Sequence, residues 1–479
     1  MRGERPTIAG NGIGGLVAAL ALAERGTAVT LVNPTPVWAP HFRGTIVDGN
    51  RFDYGMVFFE FTSFNASQST DFAGYEPAIR NDSGRFTQAI ARYVSSLGVA
   101  AVPAPTPSMW LFGGSHEDFL IANRLESLTA VNQSCRNMMA ADLEPILASA
   151  DKHLHPSRKA SSRSFDSATL EEASLANHGA TFHEMFMEPF AGKVLNASTA
   201  QLLGRYHRAA WLPLFYPETL ARCVAGQPSK LQPTAFHYPA GGSFGVLVDA
   251  LVERVLAHPA IRVESGPVSL VRREGRSLLV DPGGNQVGSG SIAWTGSQEV
   301  VAAGCRGNPE ESADRASIGF CFLATPAAEL GRTFSTLLIP DPGLLPYRIS
   351  NQTVSAGMDA ESLLLSAEFN LDVARKLGIE SDEEIRRAVS QSLLELGVIR
   401  TERGLVGMKV ARRPDAIPLP TAQNAALHAI RQEIIRREHP DVGWIGPSSG
   451  FASTSLNDQI IQGLKFADTY HLANGPSTP

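Results

Sequence analysis

Cysteine is scarce and scattered. Cys135, Cys223, Cys305 and Cys321 stand far apart in a chain of 479 residues, with no CxxC pair and no His or Cys at zinc spacing. That pattern supports neither a zinc cluster nor a closely spaced dithiol, and it reads as four reduced, mostly buried thiols. The 12 histidines include no HExxH, so metal catalysis has no support in the sequence. No apolar run reaches the roughly 18 residues needed to cross a bilayer. An excess of positive charge is missing too: the formal net charge of −6 offers no global attraction to nucleic acid or anionic lipid. A strand pattern starts within the first ten residues, leaving no room for a secretory leader, and cytoplasmic residence is the expectation. Neither an internal repeat nor a long low-complexity tract interrupts the chain.

What is present is ordinary globular material, 43% hydrophobic and long enough for two or three domains. Its most informative stretch comes first. After the strand-like Pro6-Thr7-Ile8-Ala9 stand Gly10-Asn11-Gly12-Ile13-Gly14-Gly15 and then an apolar, alanine-rich run to Glu24. This is a GxGxxG dinucleotide cradle in its proper setting, with a strand before it and a helix after it. Gly10 permits the tight turn, Gly12 lets a pyrophosphate approach the backbone, and Gly15 lets the helix pack on the strand. The helix N-terminus then faces the phosphates. Gly26 ends the helix, and Ala28 to Val32 reads as the next buried parallel strand. The acid usually found about 20 positions downstream, where it holds the ribose hydroxyls, is replaced by Asn33. An Asn carbonyl accepts a hydroxyl hydrogen bond but lacks the second oxygen and the charge, which predicts weaker or differently shared ribose recognition. Asn33 read only as a turn residue is the alternative.

Further along, residues 151–167 read as an exposed loop or crossing. Residues 183–188 read as a helix stopped by Pro189. Ser243, after Tyr238-Pro239-Ala240-Gly241-Gly242, is placed to cap a helix whose apolar positions Phe244, Leu247, Val248, Leu251, Val252 and Val255 recur at helical spacing. Short strand-like runs follow from Ile261 to Thr295 and from Phe320 to Phe369. Residues 382–396 read as an amphipathic helix and 456–467 as a closing helix.

Four stretches in this order resemble the FAD-dependent amine oxidase, protoporphyrinogen oxidase and phytoene desaturase superfamily, over nearly the whole chain. They are the Gly10 to Gly15 fingerprint; His41-Phe42-Arg43-Gly44 followed by Asp48 to Gly55, similar to the family's GGR turn and D-G-x-x-F-D-x-G strand; Tyr238 to Gly242, similar to YPxGG; and Ile445 to Phe451 followed by Ser455-Leu456-Asn457-Asp458-Gln459-Ile460 and Gly463. The resemblance implies an α/β chain: a discontinuous, glutathione-reductase-like Rossmann domain for FAD from 1–75, 235–300 and 405–470, and a mixed-sheet and helical substrate domain from 76–234 and 301–404. It implies FAD contacts from Gly10, Gly12, Ile13, Gly14, Gly15, Asn33, His41, Phe42, Arg43, Gly44, Val268, Gly446, Ser455, Leu456 and Asn457. Three positions depart from the family pattern: Asn33, the missing GGR, and Pro447 where an acid usually follows the glycine.

The implied activity is oxidation or desaturation of a small or mid-sized metabolite in a biosynthetic pathway, by hydride transfer to flavin N5, with oxygen or another acceptor reoxidising the flavin. A sugar-nucleotide mutase-type isomerase and a non-catalytic flavin-fold scaffold remain the alternatives. Substrate-pocket candidates are Tyr206, His207, Arg208, Trp211, His237 and Arg348, with Lys193 and Lys409 as possible partners of the flavin. The stretch Tyr347-Arg348-Ile349-Ser350 with Glu368 resembles a strand pair of members allied to UDP-galactopyranose mutase. An Arg there suits bidentate capture of a substrate phosphate or carboxylate, and a surface Arg on an edge strand is the bland reading. No nucleic-acid partner is expected, and oligomeric state is not legible.

Overall fold

The computed structural model describes residues 5–60, 83–149, 162–229, 235–288, 290–446, 451 and 455–474. Five short strands form a parallel sheet in the order Ile261–Ser265, Val29–Asn33, Thr7–Ala9, Ile292–Trp294, Val442–Trp444. Strands from the start, middle and end of the chain thus lie side by side. The opening helix Ile13–Glu24 is buried at every position up to Ala23. An apolar face all round is what a helix needs when it is covered on both sides. It packs closely on the closing helix Leu456–Asn474: a Cβ added at Gly463 would lie 2.6 Å from the Gly14 carbonyl oxygen and 2.8 Å from Val17 Cβ. Glycine at 463 sets that separation.

A second, seven-stranded mixed sheet runs in the order Val406–Pro418, Arg315–Pro326, Ser362–Asn370, Arg348–Asn351, Thr336–Leu338, Ser108–Leu111, Gly114–Glu117. All neighbours are antiparallel except Thr336–Leu338 with Ser108–Leu111. One expected boundary is corrected here. Residues 406–418, expected in the nucleotide-binding part, pair with Arg315–Pro326 in this sheet, so the chain leaves the sheet only after Pro418. The β pattern of 406–418 was hidden by its charges, Lys409, Arg412, Arg413 and Asp415, which suit an exposed edge strand. One face of the sheet is covered by the helix Asp382–Glu395, where expected, with a capping box from Ser381 and Glu384.

Two local expectations also change. His183–Met187 is a π-helical turn, and Pro189 lies in the first turn of a following helix, Glu188–Leu195, rather than ending one. The helical backbone runs on through Met187, and proline is accommodated next to the π-helical turn, where the Glu188 N–H reaches back to the His183 carbonyl. The helix expected after Ser243 spans Gly245–Ala257, and its end is capped by a distant carboxylate instead: the Phe244 N–H donates to both Asp53 oxygens, at 3.1 and 3.2 Å. Residues 151–161 lie outside the described residues, and 162–167 form a short helix. Among the described residues, no helix is long and apolar enough to cross a membrane.

Candidate functional site: a nucleotide cradle beside a buried ion pair

The four fingerprint glycines differ in what surrounds them. A Cβ at Gly10 would lie 2.0 Å from Thr295 Oγ1, at Gly14 2.7 Å from Ile445 Cγ2, and at Gly15 3.0 Å from Thr295 Cγ2. At Gly12 the nearest atom is Gln459 Oε1, 3.6 Å away. Three glycines are therefore needed by the protein itself, while a Cβ at Gly12 would make only an ordinary contact with the Gln459 side chain. The helix that starts at Ile13 has no side-chain cap and no acid in its first turn. Uncapped N–H groups at the positive end of a helix are anion-binding chemistry.

Asn33 is buried, and its Oδ1 accepts the Thr35 N–H at 3.2 Å. The oxygen expected to receive a ribose hydroxyl closes a local turn as well. Asn11 ties the same loop to the fingerprint, donating to Thr35 Oγ1 and the Val37 carbonyl, each at 2.6 Å. The Gly266 N–H donates to the Asn33 carbonyl, which brings the Val268 loop to the same end of the parallel sheet.

The turn Pro40–Arg43 carries His41 and a buried Phe42, while Arg43 pairs with Asp249 at 3.2 Å, sharing it with Arg51. Gly44 packs against the Phe52 carbonyl oxygen. The segment that follows is tied to the seven-stranded sheet. Gln352 accepts the Asp53 N–H at 3.1 Å, and Glu368 accepts the Met56 N–H at 3.2 Å. Tyr54 lies against Phe320 and Phe322, with the Arg413 guanidinium 4.5 Å above its ring and hydrogen-bonded to its hydroxyl. The His41 ring stacks on Tyr54 at 6.3 Å. This cluster draws on four chain segments, and no local pattern announces it.

Gly446 also differs from expectation, because its N–H donates to Gln462 Oε1 at 2.6 Å. Ser455 caps the closing helix through the Asp458 N–H at 3.1 Å, and Leu456 is buried. Asn457 is buried, with its Oδ1 unpaired among the described residues. An orphaned buried acceptor at the head of this helix fits a missing ligand. Residues 447–450, including Pro447, lie outside the described residues.

Arg348 lies on an interior strand and is 2% exposed, so it is not a surface residue. Its Nε and Nη2 donate to the two Glu368 oxygens, each at 2.6 Å. The bidentate edge expected to take a substrate anion is therefore occupied, and only Nη1 is unpaired among the described residues. Burial works against the charged guanidinium, but the Glu368 carboxylate outweighs it and raises the Arg348 pKa. Trp211 covers the guanidinium at 4.3 Å, and the Tyr347 hydroxyl donates to Glu368 at 3.2 Å.

The remaining candidates scatter. Tyr206 packs on Phe451 at 4.9 Å, and His207 is buried with Nδ1 on the Leu212 carbonyl. Arg208 Nη1 reaches the Leu120 carbonyl at 3.4 Å. His237 sits in a separate three-stranded sheet, its pKa lowered by burial. Lys193 is buried, donates to the Ile339 carbonyl at 2.9 Å and to the Asp341 carbonyl, and is pushed down to about 7 by desolvation. Lys409 is exposed on the edge strand opposite Phe322.

No protein-family model matches the chain, and no curated protein sequence matches it. Solved structures do. Reduced UDP-galactopyranose mutase superposes with a TM-score of 0.72 at 14% identity, covering 99% of this chain and 95% of that one. A protein from Exiguobacterium sp. 255-15, provisionally described as a protoporphyrinogen oxidase, gives 0.64 at 17% identity, covering 98% and 99%. The chain has the flavin amine oxidase fold. Putrescine oxidase bound to putrescine shares it, with a TM-score of 0.60 at 10% identity over 98% of this chain and 99% of that one.

Proposed function

We propose that the chain binds FAD and works as a flavin-dependent oxidoreductase on a small or mid-sized metabolite. The observation that carries this reading is the uncapped start of the Ile13–Glu24 helix behind Gly12, the one fingerprint glycine where a Cβ would meet no close contact, in a fold shared with flavoenzymes. On this reading Gly10, Gly12, Ile13, Gly14 and Gly15 cradle the pyrophosphate. Asn33 and Val268 lie toward the adenosine end, and His41, Phe42, Arg43 and Gly44 toward the ring end. Gly446, Ser455, Leu456 and Asn457 form the remaining wall. Bound FAD would supply the acceptor for an electron pair and proton taken from the substrate.

The chain's own part is to place and shield. The Asp53 and Met56 N–H groups are fixed by Gln352 and Glu368, which holds the Asp53 to Phe58 segment against the sheet. Arg348 keeps the Glu368 charge compensated away from water. Its Nη1, unpaired among the described residues, offers one charge-assisted hydrogen bond to an anionic substrate group, a single contact rather than a fork. No side chain among the candidates is placed as an obvious base, which suits a substrate that gives up its proton readily.

Gly12→Val tests the cofactor assignment. Its Cβ meets only the flexible end of Gln459, at 3.6 Å, and not the Thr295 and Ile445 contacts that fix Gly10, Gly14 and Gly15. A folded variant that no longer retains flavin is expected. Full flavin retention by Gly12→Val sinks the assignment.

A further inference from the structure

Thr336, Ser350 and Ser366 stand side by side across three neighbouring strands. Thr336 is the register partner of Ser350, and Ser350 of Ser366, so all three project from one face of the sheet. They are 0%, 7% and 3% exposed. None of the three hydroxyls has a hydrogen-bond partner among the described residues. Buried hydroxyls without partners are uncommon in folded proteins and call for an explanation.

The three line a cavity of about 10 Å³ roofed by Gly55, Met56, Val57 and Phe58. The other polar side chains on its wall are already engaged. Gln352 donates to the Arg51 and Gly242 carbonyls and accepts the Asp53 N–H. Ser355 donates to the Asn351 carbonyl, and the Tyr238 hydroxyl donates to Asp53. No lining side chain carries a charge.

We propose that Thr336, Ser350 and Ser366 form the binding site of one internal water, held on the sheet face beneath the Gly55 to Phe58 segment. The size fits a single solvent molecule, and buried waters typically make about three hydrogen bonds to groups that otherwise lack partners. Each hydroxyl both donates and accepts, so three of them satisfy a water whichever way its protons point. A cation is disfavoured, because no carboxylate faces the cavity to offset its desolvation. The water is a structural ligand. Two residues along the same strands, on the same face, stands the Arg348 and Glu368 pair, whose carboxylate takes the Met56 N–H.

A crystal structure of the full chain at a resolution that orders solvent tests this directly. The expected result is one isolated peak about 2.7–3.2 Å from all three hydroxyl oxygens. A dry cavity, with the hydroxyls turned to strand carbonyls, overturns the proposal. So does a peak with shorter, metal-like contacts of about 2.3–2.6 Å. Thr336→Val keeps the shape and removes one partner. Oxygen-17 relaxation of water should count one fewer long-lived water for this variant, and an unchanged count also overturns the proposal. Should the variant fail to fold, the density of the unmodified protein decides alone.

Discussion

The Tyr238 hydroxyl donates to the carboxylate of Asp53, 185 residues earlier in the chain. The same carboxylate receives the Phe244 N–H and so caps the helix Gly245–Ala257. Two motifs that look independent in the sequence are thus halves of one joint: the aspartate ahead of Gly55 and the tyrosine ahead of the glycine pair. Burial pushes the Asp53 carboxyl up to about 7, against the opposing pull of Tyr238, Phe244 and Arg51.

That shift has a pH consequence. An unfolded Asp releases its proton near the ordinary value of 3.8, while the native one holds it to about 7. Between these values the native state binds more protons, so stability falls as pH rises through the window. Asp53→Asn removes this slope. Urea unfolding at pH 4 and pH 7.5 should show a loss in the unmodified protein, on the order of 1–4 kcal/mol, that the variant lacks. Equal pH slopes would show that Asp53 does not titrate in this range.

Arg348→Met should cost roughly 3–5 kcal/mol, because it leaves the Glu368 carboxylate buried without its counter-charge. Adding Glu368→Gln should return much of that loss. Denaturant titrations of the two single variants and the double variant measure the coupling, and additive losses would mean that the pair is not a unit.

Gly463→Ala should destabilise by about 1–3 kcal/mol, since a Cβ 2.6 Å from the Gly14 carbonyl oxygen forces the opening and closing helices apart. Thermal unfolding checks this. An unchanged melting temperature would mean that the helix pair yields at no cost.

Much of the parallel sheet was legible, because strand, glycine turn and helix follow one another locally and their patterns do not depend on distant residues. The helices at 382–396 and 456–467 were legible for the same reason, and the second runs on to Asn474. Residues 406–418 escaped because their charges sit on an exposed edge strand, where alternation with a core face does not apply. The cap at Phe244 escaped because its carboxylate comes from Asp53, and Ser243 was the nearest local substitute. At the site, the fingerprint was readable. That Glu368 occupies the binding edge of Arg348, and that Arg413 stacks on Tyr54, are products of strand register that a linear pattern does not contain.

Asn33→Asp bears on the departure at the ribose end. Aspartate keeps an acceptor for the Thr35 N–H and adds a second, charged oxygen. Flavin binding should tighten several-fold, read by titrating FAD into flavin-free protein and following its fluorescence. Unchanged or weaker binding would place the ribose elsewhere.

The most direct measurement is the absorption spectrum of the purified protein, followed by anaerobic addition of candidate metabolites and then air. A flavin band that a substrate bleaches and an acceptor restores is the expected result. A colourless protein that takes up no added FAD would contradict flavin binding itself, and a band that no metabolite bleaches, with turnover only after dithionite, would replace oxidation by isomerase chemistry.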